Sequence, residues 1–184
     1  MSTERPIPLH ALARALAQRP GASMEQLAQA VGVSRATLHR MVSSRDELIN
    51  TLERFAYDAC ARSFNEINLQ SGPTVEVLRK LIHELHPNSA LFLFLQRHAY
   101  SHGYDRLTQN WSQQRARLVQ FFRRGQDEGA FRVDVSAQWL VDVFSALLQA
   151  AADATHEQRL AQADAEHAIA AVLLDGILRH PPSA

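Results

Sequence analysis

A chain of 184 residues, 46% hydrophobic and 21% charged, has the balance of a soluble globular protein and enough length for a buried core. Its 19 basic and 19 acidic side chains cancel overall, but residues 1–45 hold six arginines against two glutamates, and the remainder carries the compensating −4; a basic head on an acidic body suits a protein that meets phosphate with one end only. The single cysteine, Cys60, excludes an intrachain disulfide and a cysteine metal cluster. The start of the chain lacks an apolar signal core, and the longest purely apolar run, Ala90 to Leu95, is far too short for a bilayer, so a cytoplasmic protein with no membrane contact is expected.

In chain order, residues 1–8 read as a frayed lead-in with Pro6 and Pro8. Leu9, Leu12, Ala13 and Leu16 then follow helical spacing until Pro20-Gly21 stops them. Ser23 with Gln26 has the spacing of a capping box. Leu27, Ala28 and Val31 share one face of the short helix that follows. Gly32 supplies the positive φ of a sharp turn, Val33 fills the corner, and Ser34 caps the next helix. Leu38 and Met41 point that helix back at Leu27 and Val31. Left facing outward are Arg35, Ala36, Thr37, His39 and Arg40. Met24 to Met41 therefore reads as a helix-turn-helix whose second helix offers donors to a major groove. The bland alternative is a helical hairpin with no DNA role; the joint filling of positions 27, 28, 31, 32, 33, 38 and 41 favours the first reading.

Ser44 with Glu47 reads as a second capping box, and Asp46 adds negative charge to the first turn of a long helix reaching about Leu69. Its stripe is Leu48, Leu52, Phe55, Ala56, Ala59 and Cys60. At roughly 1.5 Å per residue it spans more than about 30 Å, the length of a lever between head and body. Thr74 is expected to cap a helix ending at His86-Pro87, and Asn88 or Ser89 to open a buried one ended by Gly103. Asp105 opens a long helix closing near Gly125. After the loop Gly129–Val135, Ser136 caps a helix bearing Leu140, Val143, Phe144, Leu147 and Leu148. A polar span, Thr155 to Ala163, leads to a last helix with Ile169, Val172, Leu173 and Ile177, ended by His180-Pro181-Pro182. The two apolar stripes at the end suggest a partner, and an isologous dimer is the symmetric solution. No strand-period segment, Gly-rich phosphate loop or internal repeat is found. The fold class is all-α, about nine helices, divided into a helix-turn-helix domain over residues 1–47 and a helical bundle over 48–184.

The run LAQAVGVSRATLHRMVSSRDEL, Leu27 to Leu48, resembles the tetracycline-repressor (TetR) family of transcriptional regulators, and GQDEGAFRVDV, Gly125 to Val135, resembles that family's connection before its last two helices. The chain departs from the usual pattern at His39, where Tyr is general, at Met41-Val42, where aromatics are common, and at Arg45, where Lys is common. The resemblance implies a repressor that binds a pseudo-palindromic operator in double-stranded DNA as a homodimer through its last two helices. It also implies a small-molecule pocket among the middle helices, whose occupation moves the heads and releases DNA. The DNA-contacting residues are then Ser34, Arg35, Ala36, Thr37, His39, Arg40 and Arg45.

The aromatic and histidine content of the middle helices suits a small, mainly apolar effector, and Phe94, His98, Trp111 and Arg115 are the candidate lining; solid core is the rival reading. His98 and His102, four apart, and His83 and His86, three apart, have spacings that could serve a metal. With no third and fourth ligand to name, helix-terminal capping is the better account, and neither metal nor cofactor is expected. No nucleophile elbow or paired carboxylates support catalysis, so the chain is not read as an enzyme. A helical protein-interaction module without DNA binding is the remaining alternative.

Overall fold

The computed structural model describes the backbone of residues 8–98 and 105–178, and the side chains of the same residues apart from 96, 97 and 105–111. Among them the chain is helical throughout: α1 (Leu9–Gln18), α2 (Met24–Ala30), α3 (Arg35–Met41), α4 (Arg45–Asn65), α5 (Thr74–Leu85), α6 (Ser89–His98), α7 (Asp105–Asp127), α8 (Ala137–His156) and α9 (Ala165–Ile177). Single 3-10 turns lie at His86–Asn88 and Gln162–Asp164. No strand forms among the described residues; one isolated antiparallel bridge joins Phe131 and Leu178. The all-α class expected from the sequence is the class observed. The stops expected at Gly103 and at His180-Pro181-Pro182 lie outside the described residues.

Two compact units emerge. The first takes residues 8–60 and 90–98, the second 61–89 and 105–178. The expected division after residue 47 falls inside the first unit, which also holds most of α4 and all but the first residue of α6.

In the first unit, Leu12, Leu16, Leu27, Leu38, Leu48, Leu52 and Ala56 are buried, and so is every residue of the run Ala90–Leu95 on α6. Five of the six residues of the stripe expected on α4 are buried, Leu48, Leu52, Ala56, Ala59 and Cys60; Phe55 is only partly so, and the buried face widens to take in Ile49 and Glu53. Glu53 is 1% exposed, and it is not without a partner. Burial pushes the Cys60 thiol up to about 12, so it stays protonated and behaves as a small hydrophobe.

In the second unit, α5, α7, α8 and α9 pack around a phenylalanine cluster. The Phe122 ring centroid lies 5.3 Å from Phe121, 5.8 Å from Phe131 and 6.2 Å from Phe144, in tilted or edge arrangements. Phe131 reaches this core from the α7–α8 loop. Gly129 takes φ +74°, and the N–H groups of Ala130 and Phe131 both donate to the Gly125 carbonyl at 2.9 Å. The Gln126 side-chain amide donates to the Arg132 and Val135 carbonyls at 2.8 Å. Arg132 in turn donates from its backbone to Ile177 at 2.8 Å and from Nη1 to Gly176 at 3.0 Å, tying the loop to the end of α9.

Two boundary expectations are corrected. The helix expected to reach Leu69 stops at Asn65 because Ile67 and Leu69 are both buried; residues two apart cannot share a helix face, so the chain unwinds to bury both. Thr74 does not cap α5. Pro73 is the N-cap with no side-chain bond, and the Thr74 hydroxyl donates to the Glu128 carboxylate at 3.1 Å. Ser136 does cap α8, accepting from the Trp139 N–H at 3.2 Å.

A Cβ added at Gly125 would lie 2.9 Å from Cγ of Phe131 and nearer still to Cδ2 and Cε2. Gly125→Ala should therefore cost about 1–3 kcal/mol, the usual range for overpacking, and Gly21→Ala, with nothing within 4 Å, should not. Urea unfolding of both variants checks this; equal midpoints would disprove it.

Candidate nucleic-acid interface

The interface is built from two helices of seven residues each. Neither is long enough to persist alone in water, so caps and a shared seam must hold them. At the start of α2 the capping box is complete: Ser23 Oγ accepts from the Gln26 N–H at 3.2 Å, and Gln26 Oε1 accepts from the Ser23 N–H at 2.8 Å. At its end Gly32 takes φ +71°. The Val33 N–H donates to the Ala28 carbonyl at 3.0 Å and the Gly32 N–H to Gln29 at 3.1 Å, the paired bonds of a Schellman turn.

Ser34 then caps α3, accepting from the Thr37 N–H at 3.0 Å. Its hydroxyl also lies 2.8 Å from Thr37 Oγ1, which accepts from Arg40 Nη2 at 3.4 Å. Leu38 is fully buried, with Leu27, Ala28 and Val42; Val31, Val33 and Met41 are partly buried. The opposite edge of α3 is open. Ser34, Arg35, Ala36, His39 and Arg40 are exposed and Thr37 partly so. The structure thus brings six of the seven sequence candidates to one edge. His39 and Arg40 lie in the last turn of α3, where positive charge also suits the helix dipole.

The seventh, Arg45, is placed differently. It opens α4, is partly buried, and donates from Nη1 to the Ala22 carbonyl and from Nη2 to the Pro20 carbonyl. The capping box before it is also shifted. Ser44 Oγ accepts from the Glu47 N–H at 3.1 Å as expected, but the Glu47 carboxylate reaches the N–H and hydroxyl of Ser43, both at 2.6 Å. These bonds, the hydroxyl's first, hold the Glu47 carboxyl below its ordinary value. Ser43 was not singled out from the sequence; the Ser-Ser doublet was its only signal.

Of the effector candidates, Phe94 and His98 meet on α6, ring centroids 4.7 Å apart, and both are buried. Arg115 forms an ion pair with Asp142 at 2.7 Å, both partly exposed. The side chain of Trp111 and all of His102 lie outside the described residues. His83 pairs with Glu166 at 2.9 Å, and His86 Nδ1 lies 3.0 Å from the His83 carbonyl, the terminal-carbonyl contact that the sequence favoured over a metal. Among the described residues no group of three or more His, Cys, Asp or Glu could hold a metal ion, and no helix is long and apolar enough to cross a membrane.

No protein-family model matches the chain. It is 32% identical over 173 residues, 91% of each chain, to the HTH-type transcriptional regulator NfxB of Pseudomonas aeruginosa. It is 27% identical over 142 residues to the HTH-type transcriptional repressor LfrR of Mycolicibacterium smegmatis, covering 77% of this chain and 74% of that one. Among solved structures, the TetR-like regulator LfrR superposes with a TM-score of 0.69 at 24% identity over 93% of this chain and 94% of that one. The same regulator in complex with proflavine gives 0.66 over 94% of each chain at 24% identity. The ketosteroid regulator KstR2 of Mycobacterium tuberculosis gives 0.65 at 19% identity over 94% of each.

The Glu47 bonds make a pH prediction. A carboxyl held below its ordinary 4.5 stabilises the fold fully above that value and loses the contribution as pH falls through the folded one. Glu47→Gln should be less stable than wild type at pH 7, and the gap should close as pH falls below 4.5 and through the lowered folded value. Urea midpoints across pH test this; a gap independent of pH would refute the role of the charge.

Proposed function

The chain belongs to the TetR family of DNA-binding transcriptional regulators, and we propose that it acts as a ligand-responsive repressor, reading a pseudo-palindromic operator as a homodimer through α3. The carrying observation is the open edge of that helix, opposite buried Leu38. Arg35 and Arg40 have the forked donors that match guanine O6 and N7 or a phosphate. Ser34, Thr37 and His39 supply shorter donors to the backbone, and Ala36 leaves a flat spot suited to a thymine methyl.

Dimerisation is assigned to α8 and α9, through the part of the two sequence stripes that the unit itself leaves uncovered, with Trp139 added. Leu140, Phe144, Leu148, Ile169, Leu173 and Ile177 are buried in the unit's own core. What remains open is Trp139 at 57% and Val172 at 61% exposure, with Val143 and Leu147 partly covered and Ala146 and Ala150 exposed beside them. A second copy is the occupant that closed symmetry supplies.

The effector is proposed to be small and mainly apolar. The similar regulator LfrR was crystallised in complex with proflavine, a small molecule, which supports this reading. Phe94 and His98 are the contacts favoured here, with Trp111 retained from the sequence. Arg115, already paired with Asp142, is the weaker choice.

Two outcomes are expected. Arg40→Ala should weaken operator binding by about 1–3 kcal/mol, the usual worth of a forked arginine contact; fluorescence anisotropy on duplexes enriched by the wild-type protein from a random pool measures it, and an unchanged affinity would remove Arg40 from the reader. Trp139→Glu should convert a dimer into a folded monomer at micromolar concentration. Light scattering that still returned a dimer mass would place the interface elsewhere.

A further inference from the structure

We propose that Arg45 is a positioning residue of the DNA-reading head. It sets the angle of α2 and α3 against α4 and thereby the specificity of operator binding, without itself contacting phosphate. The inference rests on the DNA-binding reading above and refines it.

The geometry begins with two carbonyls. Pro20 and Ala22 lie in the connection between α1 and α2, and one guanidinium spans them, Nη2 on the first and Nη1 on the second. Ala22 is buried and immediately precedes Ser23, the N-cap of α2. The first residue of α4 therefore grips the chain at the point where α2 starts, across 23 and 25 residues of sequence. The Schellman turn at Gly32 and the Leu27–Leu38 seam make α2 and α3 one piece. Holding the start of α2 fixes the open edge of α3 as well.

The chemistry of the position agrees. A positive side chain on the first turn of a helix faces the unfavourable end of the helix dipole, and Asp46 and Glu47 beside it obey the ordinary preference. Arg45 becomes consistent once its charge is directed to carbonyl oxygens away from that end. The bridge also needs arginine: a planar fork places two donors on two acceptors, whereas a lysine ammonium is a compact point charge on a flexible stem. With both Nη groups engaged inside the head, the side chain is not presented to a phosphate as the exposed Arg35 and Arg40 are.

The test uses the full-length protein with Arg45→Gln and Arg45→Lys. Each is titrated over a range of salt against a duplex enriched by wild type from a random pool and a random duplex of equal length. Positioning predicts that both variants lose roughly ten-fold on the enriched duplex, the scale of one misplaced base contact. On random DNA they should stay within about two-fold of wild type, with an unchanged salt slope. A phosphate contact predicts the reverse pattern: Arg45→Lys close to wild type, and Arg45→Gln weakened alike on both duplexes with a slope smaller by about 0.9. That result overturns the proposal, as does an equal loss by both variants on both duplexes, the mark of general destabilisation. If Arg45→Gln fails to fold, Arg45→Lys alone decides, because it keeps the charge and loses only the fork. A wild type that does not prefer the enriched duplex would defeat the DNA-binding reading itself, a failure separable from that of Arg45.

Discussion

The seam between α2 and α3 is the constraint from which the head follows. Seven residues of helix gain too few hydrogen bonds to offset the cost of nucleation, so neither element exists without the other. Gly32, at φ +71°, lets the chain reverse within one turn and packs α3 against α2, with Leu27, Ala28 and Leu38 all buried. Because α3 is narrow, committing one side to that seam leaves the rest of its circumference open. The polar edge is thus a geometric result of burying Leu38.

The caps do similar work at the starts of α2, α3 and α8. Ser23, Ser34 and Ser136 each satisfy an N–H that the first turn leaves orphaned. Where a residue of the same chemistry has a stronger partner, it goes there. Thr74 prefers the Glu128 carboxylate, and Glu47 prefers the two donors of Ser43. These choices set which donors and acceptors around each first turn are satisfied.

Local signals therefore made the head legible. Caps, the turn glycine and the apolar spacing all act over four residues or fewer, and all are written side by side in the sequence. The same holds for the class of the fold and for the α7–α8 loop, whose Gly129 and Phe131 lie close together. Four features were not legible, and each depends on distant chain. The grip of Arg45 on Pro20 and Ala22 has no local mark. Burial of Glu53 cannot be read from a hydrophobic stripe that skips it. Ile67 and Leu69 stop α4 only because a core awaits them both. Finally, α6 from Ala90 onward belongs with the first unit although 29 residues of the second precede it in sequence.

The face proposed for dimerisation shows why apolar stripes are ambiguous evidence of a partner. On α8 and α9 the large aliphatic and aromatic side chains, Leu140, Phe144, Leu148, Ile169 and Leu173, serve the unit itself. A pattern of apolar residues three and four apart reports burial, whether by the same chain or by another. What distinguishes the two is the second, offset row left uncovered. Here it combines one large ring, Trp139, with small residues at 146 and 150. Small side chains let two helices approach closely, while an isolated aromatic gives the approach a fixed register. In the dimer proposed above, a two-fold axis would set each Trp139 against the small residues of the other chain, a role for this row that the unit's own core does not supply.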